Sequence, residues 1–230
     1  SEKILFLFNS CYILLVSLRK GLPGCKFNSI GVYYMDVSKF LEVMSLAENL
    51  KNITRHSWTS ANRHESVAEH SWRLTLMAYF MKDEFPDVDI AKVMLMCLCH
   101  DLGEAITGDI PSFLKTEMDE STERNEINRF LSDLPEPYNK ELTALFKEMD
   151  EQKTVESRLY KALDKLEVII QHNEADISTW LPLEYELNLT YGQKETEFSE
   201  YLRKLRHAIY EITKRKIEQE GGFSAGEAKQ

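Results

Sequence analysis

The chain has 230 residues, of which 43% are hydrophobic and 29% charged, and it carries a formal net charge of −10. That length and balance fit one sizeable globular domain, and the sparse glycine (9) and proline (6) argue against a turn-rich all-β fold. So acidic a surface speaks against binding long nucleic acid but leaves room for a small nucleotide in a local basic pocket.

Residues 1–34 form an apolar N-terminal extension, uncharged from Ile4 to Leu18. That run is shorter than the ~20 residues of a membrane helix, so no membrane association is expected. Lys3 before the run fits a signal-peptide core, and Leu22-Pro23-Gly24-Cys25 faintly fits a lipoprotein cleavage site, although Arg19 and Lys20 intervene. The preferred reading is a start placed too far upstream, with Met35 as the functional start, because a well-patterned helix opens there. Asp36 or Ser38 caps it, and Val37, Phe40, Leu41, Met44, Ala47 and Leu50 keep the helical period.

The polar stretch Thr54 to Glu65 reads as a loop. A second helix runs from Val67 to Asp83 and a third from about Val88 through Leu98, with Gly108 and Pro111 breaking the chain after it. Residues 117 to 132 form a heavily charged helix, and another carries Leu142, Leu145 and Phe146. Val155 to Ala175 is the most apolar helix, with Leu159, Tyr160, Leu163, Leu166, Val168, Ile169 and Ile170; a last amphipathic helix covers Thr196 to Ile217. About six or seven helices without a convincing strand make an all-α bundle over residues 35–217, followed by a disordered tail at 218–230. Cysteines at 11, 25, 97 and 99 lack zinc-ribbon spacing and read as reduced thiols of a cytoplasmic protein.

Polar residues stand where this pattern expects apolar ones. His70 sits on the stripe between Val67 and Leu74, His100-Asp101 ends the third helix, and Asp164 lies within Ala162-Leu163-Asp164-Lys165-Leu166. Singly, His70 reads as a core histidine and Asp164 as a surface ion pair with a neighbouring lysine. Together they ask for one explanation, since a buried carboxylate costs several kcal/mol unless compensated. One shared divalent cation accounts for all of them. Two imidazoles and two carboxylates suit a borderline transition ion such as Mn or Co, with Mg also possible, better than Ca. An octahedral ion would keep two positions for water and a phosphate oxygen.

The stretches Glu65-Ser66-Val67-Ala68-Glu69-His70-Ser71-Trp72, Cys99-His100-Asp101-Leu102-Gly103-Glu104, Thr107-Gly108-Asp109-Ile110-Pro111 and Ala162-Leu163-Asp164-Lys165-Leu166 resemble the HD-domain superfamily of metal-dependent phosphohydrolases. Within it they resemble the 5′-deoxynucleotidase family. The resemblance implies metal ligation by His70, His100, Asp101 and Asp164, with Glu104 as the catalytic carboxylate beside the attacking water. It also implies Arg55, Trp58 and Asp109 as substrate contacts, Asp109 selecting the 2′-deoxy sugar. Glu104, four residues after His100 and three after Asp101, falls on their helical face. Arg63 is implied to hold Glu65 or a phosphate. Some members place Arg and Trp adjacent; here His56 and Ser57 lie between them. His56, His64, His172 and His207 read as surface or pocket-rim residues. The implied activity is hydrolysis of 2′-deoxynucleoside 5′-monophosphates by a homodimer. A different HD phosphohydrolase or phosphodiesterase, or a non-enzymatic nucleotide-binding regulator, stands as the alternative.

Overall fold

Side-chain caps set most of the helix starts. The computed structural model describes residues 35–220; the readings of residues 1–34 and of the tail from residue 221 fall outside the described residues. Helix α1 (Val37–Glu48) begins where Asp36 accepts the Ser38 and Lys39 amides at 2.8 and 3.4 Å. Helix α2 (Val67–Phe80) opens on a reciprocal capping box between Ser66 and Glu69. Asp89 caps α3 (Ile90–Cys99), and α4 (Glu104–Thr107) follows after one turn. Thr116 and Asp119 box the start of α5 (Glu117–Ser132). After α6 (Tyr138–Glu151), Thr154 caps the 20-residue α7 (Val155–Glu174). The short α8 (Glu184–Thr190) and α9 (Gln193–Thr196) lead into α10 (Glu200–Glu220).

The fold is the expected all-α bundle, with one addition. Thr54 to Glu65 is largely a hairpin, with β1 (Thr54–Trp58) antiparallel to β2 (His64–Ser66). Thr54 pairs with Ser66 and Trp58 with His64, so β1 carries extra residues as a bulge. The strands escape notice in the sequence because their inner face is lined by Arg55, Ser57 and Glu65 instead of apolar side chains. Two further boundaries move: the last amphipathic segment is split between α9 and α10, and α10 continues to Glu220, past the end expected at residue 217.

Helices α2, α3, α7 and α10 surround the main core. Leu74, Ala78, Val93, Met96, Leu159, Leu163, Leu166, Ile169 and Leu202 interlock there, fully buried. Each of these side chains larger than alanine contributes about 1.5–3 kcal/mol by leaving water. A smaller cluster of Leu50, Val67 and Ala105 lies under the hairpin end, and Ile127, Leu131 and Leu134 pack beneath α5. Helix α1 corrects its expected stripe. Phe40, Leu41 and Met44 stay exposed, while Val43 and Leu46 pack on the smaller clusters. Periodicity marks an amphipathic helix, but its edge residues decide the docking face only once neighbours are placed. Among the described residues no helix is long and apolar enough to cross a membrane.

Candidate metal centre

Three elements bring four residues to one polar spot beside this core. Helix α2 supplies His70, the end of α3 supplies His100 and Asp101, and α7 supplies Asp164. His70 Nε2 lies 3.3 Å from His100 Nε2, 3.4 Å from Asp164 Oδ1 and 3.9 Å from Asp101 Oδ2. His100 Nε2 is 3.0 Å from Asp101 Oδ2 and 3.8 Å from Asp164 Oδ1. His70 is fully buried.

The histidine protons decide what this cluster can hold. His70 Nδ1 meets Glu167 Oε2 at 2.5 Å, and His100 Nδ1 meets the Cys97 carbonyl at 2.9 Å. Both partners are acceptors only, so both Nδ1 atoms carry hydrogen. In neutral imidazoles the two Nε2 lone pairs then point at each other between two carboxylates. A divalent cation resolves that confrontation, and donor separations of 3.0–3.9 Å match ligands about 2.0–2.2 Å from one ion. The carboxylate and carbonyl behind each ring are the outer partners that orient metal-binding histidines.

The electrostatics agree. Burial and Arg55 oppose a proton on His70, yet Glu167 and Asp164 lift its imidazole to about 9. Burial also opposes charge on Asp164 and Asp101, but Lys161 and the histidines hold Asp164, and His100, His70 and Arg55 hold Asp101, well below the usual carboxylate range. The cluster draws in positive charge. Lys161 Nζ binds Asp164 Oδ2 at 2.8 Å while Oδ1 faces the histidines. The expected lysine pairing and the expected cluster position therefore coexist in one residue, but it is buried and not at the surface.

The E-S-V-x-E-H stretch divides its labour. Ser66 and Glu69 cap α2, and the cap fixes the first turn from which His70 projects. Arg63 grips Glu69 with both terminal nitrogens at 2.9 and 2.5 Å, so it holds the cap rather than Glu65 or a phosphate. Glu65 faces inward, where burial and the nearby Glu167 raise it to about 7.

Arg55 turns into the site. Its Nε lies 3.6 Å from Glu65 Oε2 and its Nη1 3.7 Å from Asp101 Oδ2, leaving its guanidinium only partly paired. Glu104, 6% exposed, starts α4 immediately after the His100-Asp101 turn. Burial, with Asp101 and Asp109 alongside, pushes it up to about 10, and its Oε2 has no hydrogen-bond partner among the described residues. Gly103 lets this turn approach α5, since a Cβ there would stand 3.0 Å from Glu123 Cγ. Asp109 follows Gly108, whose φ of +82° turns the chain. Burial and Asp101 raise Asp109 while Arg55 lowers it, which places it at the same site. A cavity of about 310 Å³ has His100, Lys115, Glu123 and Lys161 in its wall. The Trp58 ring instead packs on His64 at 4.2 Å across the hairpin, and its carbonyl accepts from Gln171 Nε2 at 2.6 Å.

Sequence reasoning missed Glu167, Gln171 and His172, which extend the Asp164 face of α7 at helical spacing and are all buried. The signal was a polar stripe on the long helix α7. His56 and His172, read as rim or surface positions, are half-buried and buried, and both meet Glu184.

A family model described as HD domain matches residues 47–206. The 5′-deoxynucleotidase HDDC2 of Homo sapiens is 33% identical over 138 residues, covering 58% of this chain and 67% of its own. Its Dictyostelium discoideum counterpart is 30% identical over 148 residues, covering 60% and 78%. This chain thus spans roughly two thirds or more of these relatives. A solved structure from Magnetospirillum magnetotacticum MS-1, titled as a predicted metal-dependent phosphohydrolase, superposes with a TM-score of 0.66. It is 26% identical, and the match covers 78% of this chain and 95% of that one.

Proposed function

The chain belongs to the HD-domain family of metal-dependent phosphohydrolases, and from that premise we propose that it hydrolyses 2′-deoxynucleoside 5′-monophosphates to deoxynucleoside and phosphate. The observation that carries the reading is the 3.3 Å approach of two imidazole Nε2 atoms between two carboxylates, with both Nδ1 protons committed elsewhere. His70, His100, Asp101 and Asp164 hold one divalent ion in this reading, of the Mn or Co type or Mg. When bound, that ion supplies Lewis acidity to the phosphoryl group and the attacking water.

The remaining steps fall to side chains. Glu104, desolvated and without a hydrogen-bond partner at Oε2 among the described residues, orients the attacking water and accepts its proton once nearby positive charge has ionised the carboxyl. Arg55, partly paired with Glu65 and Asp101, offsets charge on the phosphate as the 5′ oxygen departs. Asp109 accepts from the sugar hydroxyl and selects the 2′-deoxy sugar. Trp58 contributes wall area only, since its ring is engaged with His64.

The same reading makes the protein a cytoplasmic homodimer. Free Cys97 and Cys99 suit a reducing compartment, and the exposed Trp72, Leu76, Tyr79 and Phe80 of α2 suit self-association, which sedimentation would test. The deciding experiment for the activity is phosphate release from deoxy- and ribonucleoside 5′-monophosphates. It uses metal-stripped protein reloaded with Mn²⁺, Co²⁺ or Mg²⁺. Metal-dependent release that favours deoxy substrates, and loses that preference in Asp109→Ala, supports the proposal. No release from any monophosphate with any of the ions overturns it.

A further inference from the structure

A second group of metal-type donors lies further along α7. His56 from β1, His172 from α7 and Glu184 from the start of α8 bring three ligand atoms within 4.8 Å of one another. His172 follows Asp164 by eight residues, about 12 Å along the helix axis, and the two groups share no residue. Glu184 Oε1 stands 2.7 Å from His56 Nε2 and 3.6 Å from His172 Nε2.

Each donor is held from behind. The second oxygen of Glu184 accepts the Leu181 amide at 2.7 Å, leaving Oε1 to face the imidazoles. His172 Nδ1 lies 3.0 Å from Asn188 Oδ1; donating there commits its hydrogen and leaves Nε2 as a lone pair on the Glu184 side. Trp180 Nε1 donates to the His172 carbonyl at 2.9 Å, and the His56 ring stands edge-on to Phe113 with centroids 5.2 Å apart. Glu184 is 2% and His172 4% exposed. Burial keeps His172 below the usual histidine range, hence neutral, while contacts from His56, His172 and the Leu181 amide keep Glu184 below the usual carboxylate range. A buried carboxylate facing two imidazoles is the two-histidine, one-carboxylate set of open zinc-type sites. Ser57, whose hydroxyl lies 3.2 Å from His172 Nε2, or water can complete it.

We propose that His56, His172 and Glu184 form a second site for a divalent transition ion of the zinc class, separate from the HD centre. Bound there, the ion clamps β1 to α7 and α8. Because β1 also carries Arg55, the clamp fixes the strand from which the phosphate-facing guanidinium projects. To accept the ion, His56 carries its hydrogen on Nδ1, and the Ser57 hydroxyl turns from His172 or joins the ligands.

The test counts ions on the full chain, stripped with chelator and dialysed against Zn²⁺ or Co²⁺, by mass spectrometry and by visible cobalt absorption. Wild type is expected to bind one equivalent more than His56→Ala and one more than Glu184→Gln, while His100→Ala, altered only at the HD centre, retains that equivalent. Equal metal content in wild type and in both variants overturns the proposal. Circular dichroism checks folding, and if His56→Ala does not fold, the isosteric Glu184→Gln decides alone.

Discussion

The two buried polar groups along α7 are alike in composition and unlike in closure. Around Glu184, both imidazoles and the nearby hydroxyl find protein partners: His56 meets the carboxylate, His172 meets Asn188, and Ser57 meets His172. Around His70, two Nε2 atoms confront each other with their Nδ1 protons already spent on Glu167 and Cys97. The first group can rest on protein atoms alone, so an ion gains there only the difference between two satisfied states. The second cannot close its hydrogen bonds without added positive charge. Burial of histidines and carboxylates is therefore weak evidence by itself, and the placement of their hydrogens carries the distinction.

Four substitutions break or sharpen that contrast. Glu104→Gln keeps His70, His100, Asp101 and Asp164 and removes the proposed proton acceptor. We expect kcat for phosphate release to fall about 10²- to 10⁴-fold with metal content unchanged; parallel loss of metal would mean that Glu104 supports the ion instead. Leu163→Ala opens a cavity in the main core, since this side chain is fully buried in α7. Urea unfolding should show a loss of about 2–5 kcal/mol, and ion binding by the folded fraction should persist at both places.

Glu167→Gln separates the groups. It replaces the carboxylate behind His70 Nδ1 with an amide and should weaken metal affinity of the HD centre about 10- to 100-fold. Titration with the ion would read this out, and an equal loss at the His56 group would contradict their independence. Arg63→Ala probes the cap and is the smallest effect. Arg63 and the capping contacts hold Glu69 down at about 2, which adds stability fully present above its unfolded value of about 4.3 and lost as pH falls toward 2. Both side chains are largely exposed, so less than about 1 kcal/mol is expected at neutral pH. The difference from wild type should vanish in unfolding curves below that window.

The bundle was legible because its helices bury stripes at a strict period, and four residues of the HD centre were legible as polar interruptions of those stripes. The remainder lay outside periodicity. β1 reads Thr54-Arg55-His56-Ser57-Trp58; its inward side chains serve a charged site, so the apolar alternation of a core strand is absent. Glu184 begins a seven-residue helix without a side-chain cap, and its pairing with His56 spans 128 positions, a distance over which local pattern says nothing. Glu167, Gln171 and His172 were readable in principle, falling three, seven and eight residues after Asp164. They stood on a helix whose apolar face drew the reading. Phe40, Leu41 and Met44 went the other way, with a correct period and a docking face that only tertiary neighbours define.

Lys161 adds one consequence for the choice of ion. By occupying Asp164 Oδ2 at 2.8 Å, it confines that carboxylate to single-oxygen denticity toward anything seated among His70, His100 and Asp101. Calcium, which gathers six to eight oxygens and often takes carboxylates through both, is poorly served by such a donor. A small ion content with few, directional ligands loses nothing. In the proposed site, one lysine, three residues ahead of Asp164 and on the neighbouring turn, would thus disfavour ions that need both oxygens of this carboxylate.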